Sequence, residues 1–334
     1  MILRLKNQHN CPICNSTNKH VLIDEARDIN HGNVPGLWTF WKCDYCKSIY
    51  LNPIIQQDDL LLAYSKYDTH AENESIPFRK NGKEDFWHKI KLGYLYIRYG
   101  LNSGKKYYPY GFLMYLSPPY IRAEWDTHMM RIPKTKNHKL KLLDVGCGSG
   151  EFLKRARLCG WQVKGVDFDK VCIDIARKNG LDVIHGSINA IEKTERFDVI
   201  TLSNVIEHVH NPMQLISQSI ELLNTGGKLC ILTPSCDGPG LRKWRENWTT
   251  LDTPRHLFIL SKDSLKFISK EKNIKIKLKP RGWHLRHIDH KSRQIQNLFK
   301  NDSIWAAFMW HFKELFSHFY LKYSDELFIE IVKR

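Results

Sequence analysis

Residues 140–150 read Leu140-Lys141-Leu142-Leu143-Asp144-Val145-Gly146-Cys147-Gly148-Ser149-Gly150. An apolar run this short, stopped by glycine, predicts a buried strand of a parallel sheet entering a tight turn. The alternate glycines carry no Cβ, so the backbone there takes positive φ without strain and passes close to a small molecule. The spacing is G-x-G-x-G, with an acid two residues before the first glycine. It differs from the G-x-G-x-x-G that aims a helix N-terminus at a pyrophosphate, and a ligand without phosphates is the better match.

Working outward, residues 151–160 have helical periodicity and end on glycine, and 161–166 predict a second strand closed by Asp167. The alternation continues with a helix over 170–179, strands over 182–185 and 197–202, a helix over 211–223 and a strand over 227–233. Strands and helices alternating at this spacing imply right-handed crossovers and an α/β, doubly wound sheet, with ligands at the carboxyl ends of the strands. The loops at Asp144, Asp167, Gly186 and Ser203 fall on that edge.

The segment from Asp144 to Gly150 resembles the first motif of the class I S-adenosylmethionine-dependent methyltransferases. The resemblance implies a Rossmann-like sheet of seven strands and S-adenosyl-L-methionine as cofactor. Asp144, Gly146, Gly148 and Gly150 would then hold the methionine end and Asp167 the ribose hydroxyls, with Phe168 and Ile188 against adenine. Ser187 stands where the family commonly carries an acid, so it is either an adenine contact or a plain turn serine. Asn204, at the end of the next strand, would meet the methionine portion.

Residues 203–212, Ser-Asn-Val-Ile-Glu-His-Val-His-Asn-Pro, are similar to the Glu-His-Val segment of methyltransferases that modify quinone precursors and glycans. Glu207 and His208 would face the place where donor meets acceptor. His208 is either the base that takes a hydroxyl proton or a residue that orders its loop. A catalytic metal is not expected here, because Val205 and Ile206 precede Glu207 and no acidic cluster stands nearby.

The loop that follows, 236–260, is rich in Gly, Pro and Trp and long enough to be functional. Its W...D-x-P-R-H-L pattern resembles a bacterial subgroup with an N-terminal zinc ribbon, associated with surface polysaccharide or small metabolites. Trp248 would offer a flat face to a ring and Arg255 a planar fork to a phosphate or carboxylate. His256 is the second candidate base, or else a packed histidine tying the loop to the sheet.

Upstream, Cys11-x2-Cys14 and Cys43-x2-Cys46 can place four thiolates on one tetrahedral zinc, with a β excursion through Trp38, Phe40 and Trp41 between them. Four cysteines leave no open coordination position, so a structural zinc is favoured over a catalytic one, and a redox pair is the lesser alternative. The expected organisation is a zinc ribbon over 1–55, a helical linker or lid over 56–137, and a methyltransferase domain over 138–334 with a helical insertion near 290–323. Within the lid, helices are expected over 58–67 and 86–98, with a polar link at Glu72–Glu74. A last strand is expected over 327–332.

The chain has 334 residues, 42% hydrophobic, with a formal net charge of +16. That content supplies a core, and the charge favours an anionic partner if it is not simply spread. No run of eighteen apolar residues occurs, residues 1–10 lack the middle of a signal peptide, and nine cysteines suit a reducing compartment, so a cytoplasmic protein is expected. The aromatic stretch over 295–323 either packs on protein or lies on a membrane surface. These features together read as a methyltransferase that O-methylates a sugar, a surface-glycan precursor or a small metabolite, the acceptor anionic or lipid-linked. The rivals are a nucleic-acid methyltransferase, whose Asn/Asp-Pro-Pro-Tyr/Phe signature of base-amine methylation is replaced here by Ser203-Asn204-Val205-Ile206, and a non-catalytic binding module.

Overall fold

The computed structural model describes residues 3–64, 85–135, 139–269, 273–281, 284–296 and 304–334. The polar link at 72–74 lies outside them. The strands are β1 (Leu5–Lys6), β2 (Lys19–Ala26), β3 (Trp38–Cys43), β4 (Ile49–Leu51), β5 (Ile54–Ile55), β6 (Lys141–Val145), β7 (Gln162–Asp167), β8 (Val183–His185), β9 (Phe197–Ser203), β10 (Leu223–Pro234), β11 (Phe258–Ile259), β12 (Ile274–Lys279) and β13 (Glu326–Lys333). The helices are α1 (Phe86–Tyr99), α2 (Tyr108–Gly111), α3 (Pro119–His128), α4 (Glu151–Leu158), α5 (Lys170–Lys178), α6 (Pro212–Glu221), α7 (Pro239–Trp244), α8 (Leu265–Ile268), α9 (Leu285–Ile295) and α10 (Ile304–Phe319).

The seven-stranded sheet runs β12-β13-β10-β9-β6-β7-β8, the Rossmann-like methyltransferase order, and a four-stranded sheet runs β11-β4-β3-β2. By contacts the chain forms two compact units, one of Met1–Tyr67, Asn204–Ser217 and Leu232–Ile329, the other of Asp68–Ser203, Gln218–Ile231 and Glu330–Arg334. No helix among the described residues is long and apolar enough to cross a membrane.

In the second unit β6 pairs in parallel with both β7 and β9, and β7 with β8. Leu142, Leu143, Val199, Ile200 and Leu202 are buried, as the continuous apolar run of a strand covered on both faces requires. Asp169 starts α5 by accepting the Val171 and Cys172 amides. Ahead of the sheet, Asp85 caps α1 and left-handed Gly100 (φ 80°) ends it. The return segment, 102–116, closes on α1 through glycine. A Cβ on Gly93 would lie 2.2 Å from the Tyr107 carbonyl oxygen, one on Gly104 2.0 Å from that of Leu92, and one on Gly111 2.3 Å from the Gly93 carbonyl carbon. Only bare backbone fits there.

In the first unit the two cysteine knuckles repeat one geometry. The Asn15 amide donates to the Cys11 carbonyl and the Lys47 amide to that of Cys43, while the Cys11 and Cys43 amides donate to the carbonyls of Ser16 and Ser48. Asn15 and Lys47 both carry positive φ, 60° and 63°. The β excursion between the knuckles is β2 and β3, antiparallel. Strand β4 pairs on one side with β3 and on the other with β11, so the ribbon and the 236–260 loop belong to one sheet. The Ser261 hydroxyl donates to the Cys46 carbonyl across the same junction.

The helix expected over 58–67 is a 3₁₀ helix, Gln57–Tyr64, with 65–67 outside the described residues. Helix α10 buries Trp310, Glu314 and Ser317 and exposes Phe308, Met309, Phe312, Phe316 and Phe319.

Candidate active site

Two groups of side chains correspond to the residues singled out in the sequence. The first is the glycine turn after β6. Gly146, Gly148 and Gly150 all take positive φ (75°, 52° and 84°). No heavy atom lies within 4 Å of where a Cβ on Gly148 would stand, so the turn presents bare backbone to open space. Asp167, at the end of β7, is 8% exposed. Its Oδ2 accepts the Gly148 amide at 2.8 Å and its Oδ1 the Asp169 amide at 2.8 Å. One lone pair on each oxygen stays available to a hydroxyl. Burial raises this carboxyl's pKa above its ordinary value, against those two amide bonds. The next side chain, Phe168, is 46% exposed, a ring with a face to offer.

Asp144 sits deeper. Its Oδ1 accepts the Thr201 hydroxyl at 2.6 Å across the β6–β9 pair, and burial pushes its pKa up to about 7. It braces the strand from which the turn springs. Ser187 caps a 3₁₀ turn through the Asn189 amide at 3.3 Å, Ile188 is buried, and Gly186 donates to the Asp167 carbonyl at 2.8 Å. These residues fit S-adenosylmethionine: a bare turn, a carboxylate with free lone pairs and an exposed ring stand on successive loops of one sheet edge.

The second group lies in the other unit. Glu207, His208 and His256 bring an oxygen and two ring nitrogens within 4.8 Å of one another. Glu207 is fully buried; its Oε2 accepts the Thr233 hydroxyl at 3.0 Å, and Oε1 has no hydrogen bond among the described residues. Burial lifts its pKa to about 8, which keeps the carboxyl neutral near pH 7. His256 Nδ1 lies 2.7 Å from the Thr250 carbonyl. An imidazole facing a carbonyl must donate, so Nδ1 carries the hydrogen and Nε2 the lone pair of a base. His208 Nδ1 lies 2.6 Å from the Tyr64 hydroxyl and 3.2 Å from the Arg255 carbonyl. Burial first and then the neighbouring His256 lower the His208 pKa to about 3, and burial lowers that of His256 as well. Both rings are therefore neutral at pH 7.

Two expectations from the sequence are corrected. Arg255 is fully buried and spends its fork on the protein itself: Asp28 at 2.8 and 3.0 Å, Asp252 at 3.3 Å and the Ala63 carbonyl at 2.9 Å. Trp248 is also fully buried, so neither side chain meets an acceptor. Tyr64 and Asp28 are the residues that sequence reasoning passed over. An aspartate alone among Arg, Ile and Asn carries no periodicity, and only the fold shows its arginine. Asn204, in the first unit, is exposed with φ 53° and donates its amide to the Leu232 carbonyl at 2.8 Å.

In the ribbon the four sulfurs of Cys11, Cys14, Cys43 and Cys46 stand within 4.8 Å of one another, with Cys11 to Cys46 and Cys14 to Cys43 at 3.5 Å. Zinc–sulfur bonds of about 2.3 Å in a tetrahedron separate sulfurs by about 3.8 Å. The donor set fits zinc and exceeds the roughly 2.05 Å of a disulfide.

A parallel sheet with a bare glycine turn on its first central strand and an acid closing the next defines the class I S-adenosylmethionine-dependent methyltransferase fold. Residues 119–279, just under half of the chain, match the family model described as a methyltransferase domain, and the chain is similar to the quinone-precursor O-methyltransferases. The mitochondrial ubiquinone biosynthesis O-methyltransferase of Candida albicans is 29% identical over 180 residues, 47% of this chain and 55% of that protein. The ubiquinone biosynthesis O-methyltransferase of Nitrosococcus oceani is 32% identical over 120 residues, 32% and 51%. The chain thus spans about half the length of these relatives. Among solved structures, the plantazolicin methyltransferase BpumL in complex with SAH has a TM-score of 0.40, with 16% identity over 74% of this chain and 95% of that one.

Proposed function

We propose that the protein transfers a methyl group from S-adenosylmethionine to a hydroxyl of a small acceptor. The observation that carries this reading is the open, bare backbone at Gly148, hydrogen-bonded to the Asp167 carboxylate. When bound, the donor supplies a methyl carbon on a sulfonium, open to in-line displacement. Asp167 accepts the ribose hydroxyls, Phe168 and Ile188 pack against adenine, and Asn204 meets the methionine portion. Ser187 adds a hydroxyl beside the ring. His256 takes the acceptor's proton at Nε2, the nitrogen that its Thr250 contact leaves unprotonated; His208 orients the acceptor, and neutral Glu207, fully buried on the Thr233 hydroxyl, orders the loop that carries His208. The four ribbon cysteines hold a structural zinc.

For the acceptor we infer a sugar, a surface-glycan precursor or another small metabolite, anionic or lipid-linked, an inference supported by the charge of +16. The outward aromatic face of α10 is the peripheral membrane contact that a lipid-linked acceptor calls for. A phenolic hydroxyl is the second reading, favoured by the quinone-pathway names of the relatives. Nine cysteines, none of them in a disulfide, support a reducing, cytoplasmic setting. Incubation with donor carrying a labelled methyl and fractionated cell extract tests the whole reading. Label in lipid-linked sugar or free metabolite supports it, label in RNA favours a nucleic-acid enzyme, and no donor binding by calorimetry overturns it.

A further inference from the structure

The helical hairpin of the second unit, α1 and its return segment, has an unusual surface. Between Phe86 and Ala123 the chain carries Lys89, Lys91, Arg98, Lys105, Lys106 and Arg122 and no acid. Over the same stretch Trp87, Tyr108, Phe112, Leu113, Tyr115 and Leu116 are all exposed, Leu116 at 83%. The glycine contacts explain why. Gly93, Gly104 and Gly111 bring backbone against backbone, which leaves no room between the two arms for the bulky side chains of 108–116. The tip is also held firmly: the Tyr94 hydroxyl donates to Asp126 at 2.8 Å, and the Arg122 guanidinium donates to the Tyr115 and Ser117 carbonyls at 2.9 and 2.8 Å.

Exposed aromatic and aliphatic side chains gathered on one hairpin mark a contact surface. Its charge decides the partner. A second copy of the chain would set these cations against their own kind, at an electrostatic cost. A nucleic acid would match the charge but not the aliphatic tips of Leu113 and Leu116, which neither stack on bases nor form hydrogen bonds. An anionic bilayer matches both, because aromatic and aliphatic side chains enter the headgroup boundary while lysines reach out to lipid phosphates.

We propose that the 86–116 hairpin docks the protein on an anionic membrane surface, with Phe112, Leu113 and Leu116 entering the headgroup layer and Lys105 and Lys106 on lipid phosphates. This inference does not depend on which acceptor is methylated.

The full chain is floated with vesicles of phosphatidylcholine alone and of phosphatidylcholine with one third phosphatidylglycerol. Binding is expected to the second, at least tenfold above the first, and to weaken in 0.5 M salt. Phe112→Ser with Leu116→Ser should cost at least tenfold. Lys105→Glu with Lys106→Glu should do the same, since each cation contributes about fivefold. Both pairs should keep wild-type melting and donor binding, and Leu116→Ser alone, at an exposed site, guards against misfolding as the cause. No vesicle binding, or variants that bind like wild type, overturns the proposal. So does a dimer that these variants dissociate, or RNA binding that they abolish while vesicles are ignored.

Discussion

The rings of His208 and His256 stand with centroids 4.6 Å apart, tilted by 62°, although one follows β9 and the other lies on the loop after β10. The partner of each Nδ1 separates their roles. That of His256 faces a backbone carbonyl, whereas that of His208 is shared between a hydroxyl and a carbonyl. His256→Ala should therefore lower kcat by about a hundredfold or more with donor affinity unchanged, within the span that general-base catalysis contributes. His208→Ala should lose less. Turnover with labelled donor and calorimetry separate the two quantities, and full turnover by both variants would sink the assignment.

Asp167→Ala should weaken donor binding by about tenfold to a hundredfold, the scale of one charge-assisted hydrogen-bond pair. Asp167→Asn keeps one acceptor oxygen and should lose less. Unchanged donor affinity in a folded variant counts against the ribose role.

The ion pair between Arg255 and Asp28 is buried on both sides. Removing one partner leaves an uncompensated charge, so Arg255→Ala should cost about 3–5 kcal/mol in chemical denaturation. Donor binding should survive wherever the variant still folds. A variant that melts like wild type but has lost turnover would return Arg255 to the acceptor.

Stability should depend on pH with opposite signs at the two ends. The unfolded chain protonates His208 near its ordinary 6.5 while the folded chain resists down to about 3, so stability falls as pH drops through that window. Glu207 keeps its proton up to about 8 against an ordinary 4.5. Its contribution is full at low pH and is lost as pH rises through that range. Glu207→Gln should flatten the alkaline side and His208→Phe the acid side of a melting-temperature profile.

Zinc content measured by mass spectrometry should be one ion per chain, falling to none in Cys43→Ser. Loss of metal should lower the melting temperature without changing donor affinity. One equivalent retained in Cys43→Ser would mean that the ion sits elsewhere.

Much of this architecture is legible in the sequence because its signals are local. The apolar run into Gly146, the acid at Asp167 and the two C-x2-C knuckles each fix a piece of backbone within ten residues. What stayed hidden depends on distant pairing. Arg255 looks like an anion clamp until Asp28 is found against it, and Trp248 looks like a platform until the loop is seen to fold inward. Tyr64 gives no sign in sequence that its hydroxyl reaches His208. The hairpin's exposed face was equally hard to see, since Gly93, Gly104 and Gly111 are not adjacent in the chain and only their contact turns the aromatics outward.

The pairing of β4 with β11 bears on how this chain can be recombined. A designer grafting a foreign ribbon at residue 55 would leave Phe258 and Ile259 as a raw edge two positions beyond His256, because the native ribbon that is removed carries away β4, their pairing strand. A swap that keeps activity must move the ribbon and the 236–260 loop as a single cassette.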